Sequence, residues 1–555
     1  VSLEVDKFRR VLENAGHSVF YLAGNEDVPG GEFIPELSRL DPVTQRILRN
    51  ATRELKDYTT PAGLMEEVRQ QADRIKPGML RFIRDHDLDL IFPNNLVSVG
   101  YNLPGMLALN EAIEETGIAT VCHNHDFWWE DSGEVYPTCE EVVAFYEEYA
   151  PPVKTNVSHL VINRLAQEQL LERKGTESRV VPNVFDFNQP SWEQDAYNAD
   201  LRESLGIGPD ALVFLQATRI LDRKGVELAI DLIAELNQPP HRQQLESSPL
   251  HDGRRFSSEN RMILLCAGYV EQIGLSGGYP KALQDKADRL GVEIIWCGDR
   301  IGHSRGTKEG RKVYSLWDAY TAADFVTYPS YWEGWGNQLI EALFARLPVV
   351  IFEYPVYLSD LKPVGFELVS LGGQLGPRDA DNLVSLPPGI IQRAAAEVVR
   401  LLQIGDYRKA VVDRNFALAQ QHFSYESLER ILREIFHEKG ISWKSGSAAC
   451  RLKQRPRPGP PVPESPSAQW LRSPPGAARS PYRSGPGCAT GRGDAASRDH
   501  SGSVPGPRNG QKHRHTIRPP WNAAPAGHGS RHRPAGGRNA APPLPRSPVE
   551  KPPRW

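Results

Sequence analysis

The chain up to about Gly440 alternates short apolar runs with amphipathic helical segments, and this alternation is the feature that most restricts the fold. Apolar runs such as LDLIFP, IATVCHN, ALVFLQAT, RMILLC and GVEIIW are separated by segments with helical spacing, among them MLALNEAIEETG and VELAIDLIAELN. Strands that alternate with helices build parallel sheets that carry helices on both faces. The sequence therefore predicts an α/β protein built on parallel sheets.

A polar stretch around residues 188–210 separates two series of these units. We predict a first domain over residues 1–195 and a second over residues 196–422, followed by a closing helix over residues 423–444. The segment VSHLVINRLAQEQLLERKG is interpreted as one helix of the first domain. The apolar positions of the closing helix recur at helical spacing: Leu428, Ile431, Leu432 and Ile435.

Composition changes after Cys450. Residues 451–555 contain 22 Pro, 16 Arg and 3 Lys against 4 acidic residues, a net charge of +15; because the whole chain carries −4, the preceding residues carry −19. Such a segment cannot bury enough apolar surface to offset chain entropy, so we predict that residues 445–555 are disordered. Two origins stay open: an Arg-rich arm that binds nucleic acid or acidic partners, or GC-rich DNA translated out of frame, which we favour.

The acidic body excludes several classes of function. Proteins that bind nucleic acid or anionic membranes need a cationic face, which residues 1–450 do not provide by composition. The six cysteines show neither a CxxC pair nor regular spacing, which argues against a zinc site or a disulfide framework and favours the reducing cytoplasm. No apolar run approaches the ~20 residues of a membrane span.

The stretch YPSYWEGWGNQLIEALFARLPVVIF places two carboxylates, Glu333 and Glu341, around a glycine-containing loop. We interpret it as strand, loop, helix and strand, so the loop lies at the carboxyl end of a parallel strand and the helix N-terminus offers an anion site. Gly334 and Gly336 let the backbone approach a ligand, and acids without a metal are suited to sugar hydroxyls. The pattern predicts a sugar-nucleotide site, the alternative being an ordinary turn with solvated acids.

Four stretches in order between residues 80 and 423 resemble the retaining glycosyltransferases of family 4, which have the GT-B fold. EGWGNQLIE resembles the family's E-x7-E signature and ATRILDRKG its Arg-x4-Lys stretch. VVPNVFDF is similar to its Pro-Asn turn, and HNHDF to its His-Asp loop. The resemblance implies two facing Rossmann-like domains and a nucleotide-sugar donor.

The resemblance also implies residue roles. Arg219 and Lys224 would neutralise the diphosphate leaving group; a lysine before a helix N-terminus is unfavourable unless an anion binds there, although a solvated charge pair is the alternative. Glu333 would hold the donor sugar and Glu341 the ribose hydroxyls. The remaining expected donor-binding residues are Gly334, Trp335, Gly336 and Asn337.

His125 ends a strand of the first domain, and the resemblance implies that it contacts the donor sugar and stabilises the transition state. His123 is the competing choice, and packing or local hydrogen bonding is an alternative for either. A metal site of His123, His125, Asp126 and Glu130 is weakly indicated, because H-x-H lacks a third fixed ligand. The aromatic run over residues 127–129 could form a sugar-binding wall or a domain-interface core.

The resemblance implies transfer of a hexose, with retention, to a small hydroxylated acceptor, with a donor of the GDP-mannose or UDP-glucose type and no cofactor. ETGIATVCHNHDFWWE and VSLEVDKF are similar to enzymes that mannosylate glucosylglycerate-type solutes. The alternatives are a GT-B epimerase or phosphorylase, or a non-catalytic binding protein.

Two features depart from the family pattern. Family members begin with a strand and a glycine-rich loop before the helix that here starts at Val1, so we expect that in-frame upstream DNA encodes them and that their absence leaves an apolar slot beside the sheet. Arg346 and Leu347 stand where a small residue and glycine are common, which we expect to alter only the end of the helix.

Overall fold

The computed structural model describes residues 2–25, 28, 30–130, 135–270 and 278–444. The tail predicted to be disordered, over residues 445–555, lies outside these residues. None of the helices in the described ranges is long and apolar enough to cross a membrane.

The first domain is a four-stranded parallel sheet flanked by helices, with strand order β3-β4-β5-β6. Its strands are β3 (Leu90–Ile91), β4 (Ala119–Asn124), β5 (Val157–Val161) and β6 (Ser178–Val180). Its helices are α1 (Ser2–Asn14), α2 (Pro42–Thr52), α3 (Pro61–Asp85), α4 (Leu103–Thr116), α5 (Glu140–Tyr149) and α6 (Arg164–Lys174). A separate parallel pair joins β1 (Leu22–Ala23) to β2 (Glu32–Phe33).

The second domain is a six-stranded parallel sheet with strand order β15-β14-β13-β7-β8-β9. Its strands are β7 (Leu212–Gln216), β8 (Met262–Cys266), β9 (Glu293–Trp296), β13 (Phe325–Tyr328), β14 (Val349–Ile351) and β15 (Val369–Ser370). Its helices are α7 (Leu201–Ser204), α8 (Val226–Leu236), α9 (Pro239–Ser247), α10 (Tyr279–Leu290), α11 (Leu316–Thr321), α12 (Asn337–Phe344), α13 (Ile390–Gln403) and α14 (Gly405–Phe423). A small side sheet contains β10 (Ile301–Gly302), β11 (Gly306–Lys308) and β12 (Arg311–Ser315).

Three apolar runs of the second domain form strands that are buried on both faces. Every residue of β7, β8 and β13 is buried, and helices cover the two sides of this sheet. Continuous apolar strands of this kind are typical of parallel sheets covered by helices. Two doubly wound parallel domains constitute the predicted GT-B architecture.

The closing helix α15 (Tyr425–Glu438) leaves the second domain and packs on the first. Leu428, Leu432 and Ile435 are buried against α1 and the first sheet, as their spacing predicts. Where the chain passes between domains, Phe185 N–H donates to Phe423 O at 2.8 Å, so the outgoing and returning segments lie side by side.

The prediction of one helix over residues 157–175 is wrong. Val157–Val161 is the strand β5, which pairs with β4 on one side and β6 on the other. The helix α6 begins only after Asn163, whose side-chain oxygen accepts a hydrogen bond from Ala166 N–H at 2.7 Å. An N-cap asparagine was therefore present in the sequence as the signal that separates strand from helix.

An open groove of about 580 Å³ lies beside β3. Its walls are largely apolar and include Phe8 of α1, Val19, Phe82 of α3 and Phe92.

Arg346, at the end of α12, has a φ of 54°. This left-handed conformation favours glycine over residues with a side chain. The Arg346 guanidinium lies 3.9 Å from the centroid of the Phe416 ring and pairs with Asp413. The departure from the pattern is thus accommodated at the helix end, as expected.

We predict that Leu432→Ala lowers the free energy of unfolding by about 2–5 kcal/mol, because it removes a fully buried side chain between α15 and the first domain. Urea denaturation followed by circular dichroism measures the change. Arg430→Ala, on the exposed face of the same helix, is the matched control. Equal stability of the two variants would contradict the packing described for α15.

Candidate active site

The candidate site lies at the carboxyl ends of β7 and β13, where two loops touch. Tyr331 N–H donates to Arg223 O at 3.0 Å and joins the loop after β13 to the loop after β7. Gly225 has a φ of 60°, and the carbonyl of Pro329 fills the space that a side chain would need, so glycine is required there. The contact brings Lys224 to Glu333, 109 positions away in the chain.

A buried ion cluster forms where the loops meet. Lys224 Nζ donates to Glu333 Oε1, and Arg223 Nη1 donates to Glu333 Oε2 at 3.0 Å. Lys224 is 4% exposed and Glu333 8%. Two sequence-predicted site residues, Lys224 and Glu333, are thus brought into direct contact, and Arg223, which the sequence analysis did not identify, contacts the same carboxylate.

Burial and mutual charge set the ionisation of this cluster. Burial lowers the pKa of Lys224 to about 8, although the Glu333 carboxylate opposes that change. Burial acts to raise the pKa of Glu333, but the charges of Lys224 and Arg223 hold it below its usual value. The carboxylate is therefore ionised at neutral pH and depends on both cations for that state.

Arg219 follows β7, before the turn that carries Lys224. Its charge contributes to the lowered pKa of Lys224. The loop that holds Arg219 is packed tightly, since Ile220 N–H donates to Tyr269 O at 3.0 Å and the Thr218 carbonyl fills the space beside Gly268.

The N-terminus of α12 is held by groups from both domains. Tyr354 Oη donates to Trp335 O at 2.6 Å, and a Cβ at Gly336 would lie 2.6 Å from that hydroxyl. Glycine at position 336 thus has a packing reason besides the expected approach of a ligand. The first domain contributes Asn163, whose Nδ2 donates to Gly334 O at 2.8 Å.

Asn337, the first residue of α12, also contacts the first domain. Its Oδ1 accepts a hydrogen bond from Asn183 Nδ2 at 3.1 Å. Asn183 belongs to the Pro-Asn turn after β6, so two of the four stretches noted in the sequence meet here.

Glu341 has partners of its own, apart from the ion cluster. Its Oε2 accepts a hydrogen bond from Tyr320 Oη of α11 at 3.0 Å. Burial raises the pKa of Glu341 to about 7, while the charges of Lys7 and Glu4 on α1 act in opposite directions. The second acid of the motif therefore lies near the first domain and changes charge close to neutral pH.

His125 directly follows β4, and its backbone N–H donates to Asn95 Oδ1 at 2.6 Å. His123 Nδ1 lies 3.0 Å from Asn94 Oδ1, and the two histidine rings are 4.3 Å apart. Burial lowers the pKa of His123 to about 3 and that of His125 well below its usual value, so both imidazoles are neutral. Among the described residues, neither Nε2 atom has a hydrogen-bond partner.

The structure bears on two of the alternatives for residues 123–130, a metal site and an aromatic sugar-binding wall. In the described part of the chain, no group of three His, Cys, Asp or Glu side chains is arranged to hold a metal ion. Phe127 and Trp128 are core residues of the first domain: Phe127 stacks on Trp129 at 4.5 Å, and Trp128 stacks on Tyr146 at 5.0 Å. Neither ring forms the sugar-binding wall considered from the sequence.

Three contacting residues were missed from the sequence: Arg223, Asn95 and Asn163. Arg223 precedes Lys224 directly, and this adjacency was its only signal. Asn163 was hidden because its segment was interpreted as one helix. Asn95, at a φ of 56°, shows no sequence pattern that predicts its bond to the His125 backbone.

Comparison with known proteins gives two extensive matches. The chain is 37% identical over 437 residues to mannosylglucosylglycerate synthase of Thermotoga maritima, covering 78% of this chain and 96% of that protein. It is 36% identical over 377 residues to the protein of the same name from Petrotoga mobilis, covering 67% and 84%. No family model matches the chain.

Among solved structures, sucrose-phosphate synthase from Thermosynechococcus elongatus aligns with a TM-score of 0.45 at 16% identity, over 78% of this chain and 92% of that chain.

We predict that Glu341→Gln gains stability relative to the unsubstituted protein as pH rises from 5 to 8. Because the folded-state pKa is raised to about 7, ionisation of Glu341 costs stability progressively above its unfolded pKa and in full above 7. Glutamine carries no charge, so the difference in the free energy of unfolding should grow by on the order of 1–3 kcal/mol. Urea denaturation at several pH values measures it.

Glu203→Gln, at an exposed position, serves as the control and should follow the unsubstituted protein at every pH. If the Glu341→Gln curve also stays parallel to it, Glu341 is not buried in the way described.

Proposed function

The chain belongs to the family of mannosylglucosylglycerate synthases, which are glycosyltransferases, and we propose that it transfers a hexose from a nucleotide-diphosphate sugar to a small hydroxylated acceptor with retention of configuration. In its most specific form, the proposal is mannosyl transfer to a glucosylglycerate-type acceptor. The product named for the two relatives, which contains mannosyl, glucosyl and glycerate parts, supports this choice.

The observation that carries the proposal is the buried ion cluster of Lys224, Arg223 and Glu333 at the strand ends. Glycosyl transfer from a sugar nucleotide leaves a diphosphate, whose developing charge must be stabilised by cations. Arg219 and Lys224 supply two positive charges in the loop after β7. A carboxylate beside them is suited to accept hydrogen bonds from sugar hydroxyls.

Donor binding exchanges partners in this cluster. The diphosphate forms ion pairs with Lys224 and Arg219, and the Lys224 side chain then turns away from Glu333. The Glu333 oxygen that Lys224 occupied becomes available to a hydroxyl of the donor sugar. Glu341 binds the ribose hydroxyls, and the backbone of residues 334–337 lies along the sugar and phosphate.

His125 acts as a neutral imidazole at the sugar. Because burial keeps the imidazole uncharged, it can form a hydrogen bond with the donor sugar but does not supply a positive charge to the transition state. In the proposed same-face reaction, the bond from the anomeric carbon to the phosphate oxygen breaks while the acceptor oxygen bonds to that carbon. The acceptor hydroxyl proton passes to the leaving phosphate.

We place the enzyme in the cytoplasm and propose that it needs no cofactor. The four described cysteines, Cys122, Cys139, Cys266 and Cys297, are free thiols, as expected in a reducing compartment. The donor is of the GDP-mannose or UDP-glucose type.

The function is tested by incubating the purified chain with GDP-mannose or UDP-glucose, with and without glucosylglycerate. We expect nucleoside diphosphate to be released only when both substrates are present, and the new linkage to keep the donor's anomeric configuration by NMR. An altered sugar nucleotide without acceptor would indicate an epimerase, and turnover that requires inorganic phosphate a phosphorylase. Donor binding without any product would indicate a non-catalytic protein.

Replacing Arg219 or Lys224 by alanine should lower kcat by roughly 100-fold or more, the scale observed when one donor to a developing oxyanion is lost. Glu341→Ala should chiefly raise the KM for the donor. Steady-state kinetics with the donor varied separates the two effects. Lys281→Ala, which removes an exposed lysine of α10, is the control; kcat near that of the control for both basic variants would contradict the assignment.

A further inference from the structure

Arg223 connects the two loops of the site more extensively than Lys224 does. Its Nη1 donates to Trp332 O at 2.8 Å and to Glu333 Oε2 at 3.0 Å. Its backbone oxygen accepts from Tyr331 N–H at 3.0 Å. Through its side chain and its backbone oxygen together, Arg223 therefore links the loop after β7 to three consecutive residues of the loop after β13.

The Arg223 guanidinium is also fixed in orientation. It lies 5.1 Å from the centroid of the Trp332 ring, an indole that is 37% exposed. A cation over an aromatic face gains attraction and loses rotational freedom. Within the described part of the chain, Lys224 Nζ by contrast has Glu333 as its single hydrogen-bond partner, so it can leave more easily.

Glu333 cannot remain ionised in a buried site without a cation. When Lys224 turns to the donor diphosphate, Arg223 is the cation that stays in contact with the carboxylate. The diphosphate itself brings negative charge near Glu333, which makes the remaining cation more important.

We propose that Arg223 is a positioning residue for Glu333: it holds the carboxylate in place while Lys224 pairs with the donor diphosphate. This inference rests on the proposed function, since it assumes that a sugar nucleotide binds at the cluster. Arg223 acts through Glu333 and does not need to touch the transferred sugar.

Several other groups near the cluster affect how its charge changes with pH. Arg219 interacts electrostatically with Lys224, and Asp126 of the first domain with Arg223. The groups close to Glu333 itself are Lys224, Arg223, Ser330, Tyr328 and Tyr354. The phenols have raised pKa values because of burial and stay neutral, so between pH 5 and 8.5 the cations decide the charge of Glu333.

The test is the pH dependence of donor binding and of kcat for Arg223→Gln and Arg223→Lys. Calorimetry with the GDP-mannose or UDP-glucose that the unsubstituted enzyme turns over gives Kd between pH 5 and 8.5. We expect the acid limb of the Kd profile of Arg223→Gln to move to higher pH by about one unit or more. At a given pH on that limb, the variant then binds the donor about tenfold more weakly, and at alkaline pH its binding recovers. Arg223→Lys, which keeps the charge, should restore most of the limb.

The matched control is Arg378→Gln. Arg378 also lies over an aromatic ring of this loop, 5.7 Å from the centroid of Tyr331, and donates to the Tyr331 hydroxyl, but it does not contact Glu333. Its acid limb should coincide with that of the unsubstituted enzyme.

A loss for Arg223→Gln that is uniform at all pH values, or no loss, would overturn the positioning role. If Arg223→Gln does not fold, the pH profiles of Arg223→Lys and Glu333→Gln are compared instead. The positioning role would be overturned if the acid limb of Arg223→Lys departs from that of the unsubstituted enzyme as far as the Glu333→Gln profile does. An unsubstituted enzyme that binds no sugar nucleotide would instead refute the proposed function.

Discussion

The buried pair between Lys224 and Glu333 is the interaction on which the arrangement of the site depends. Both side chains are almost fully enclosed, and each compensates the charge of the other. Removing one partner from such a pair leaves an uncompensated buried charge, which costs more than the pair contributes when intact. The loops after β7 and β13 are therefore tied to one geometry, and Gly225 lets them approach closely enough to adopt it.

Burial has opposite consequences for the acids and the histidines of the site. Glu333 stays ionised because two cations contact it, whereas Glu341, hydrogen-bonded to Tyr320, has a pKa raised to about 7. His123 and His125 stay neutral because burial disfavours the charged form of each imidazole and so lowers its pKa. The site therefore combines one firmly charged cluster with groups that are neutral or change charge near neutral pH.

The sequence predicted the helix α12 and both flanking strands well, because apolar spacing and the loop glycines are local signals. It failed over residues 157–175, where an apolar strand runs directly into an amphipathic helix and helical spacing alone does not separate them. Of the two cations that contact Glu333, the sequence analysis identified Lys224 but not Arg223. Arg223 is significant because of a contact with a loop 110 positions away, which no local pattern encodes. The bonds from Asn163 to the loop after β13 and from Asn183 to the start of α12 likewise join distant parts of the chain.

The chain crosses between the two domains twice, and the two crossings lie side by side, since Phe185 N–H donates to Phe423 O. Trp335 packs against Phe423 with ring centroids 5.5 Å apart. The loop after β13 is therefore anchored directly at the place where the chain returns to the first domain, and the geometry of that loop depends on how the two crossings pack.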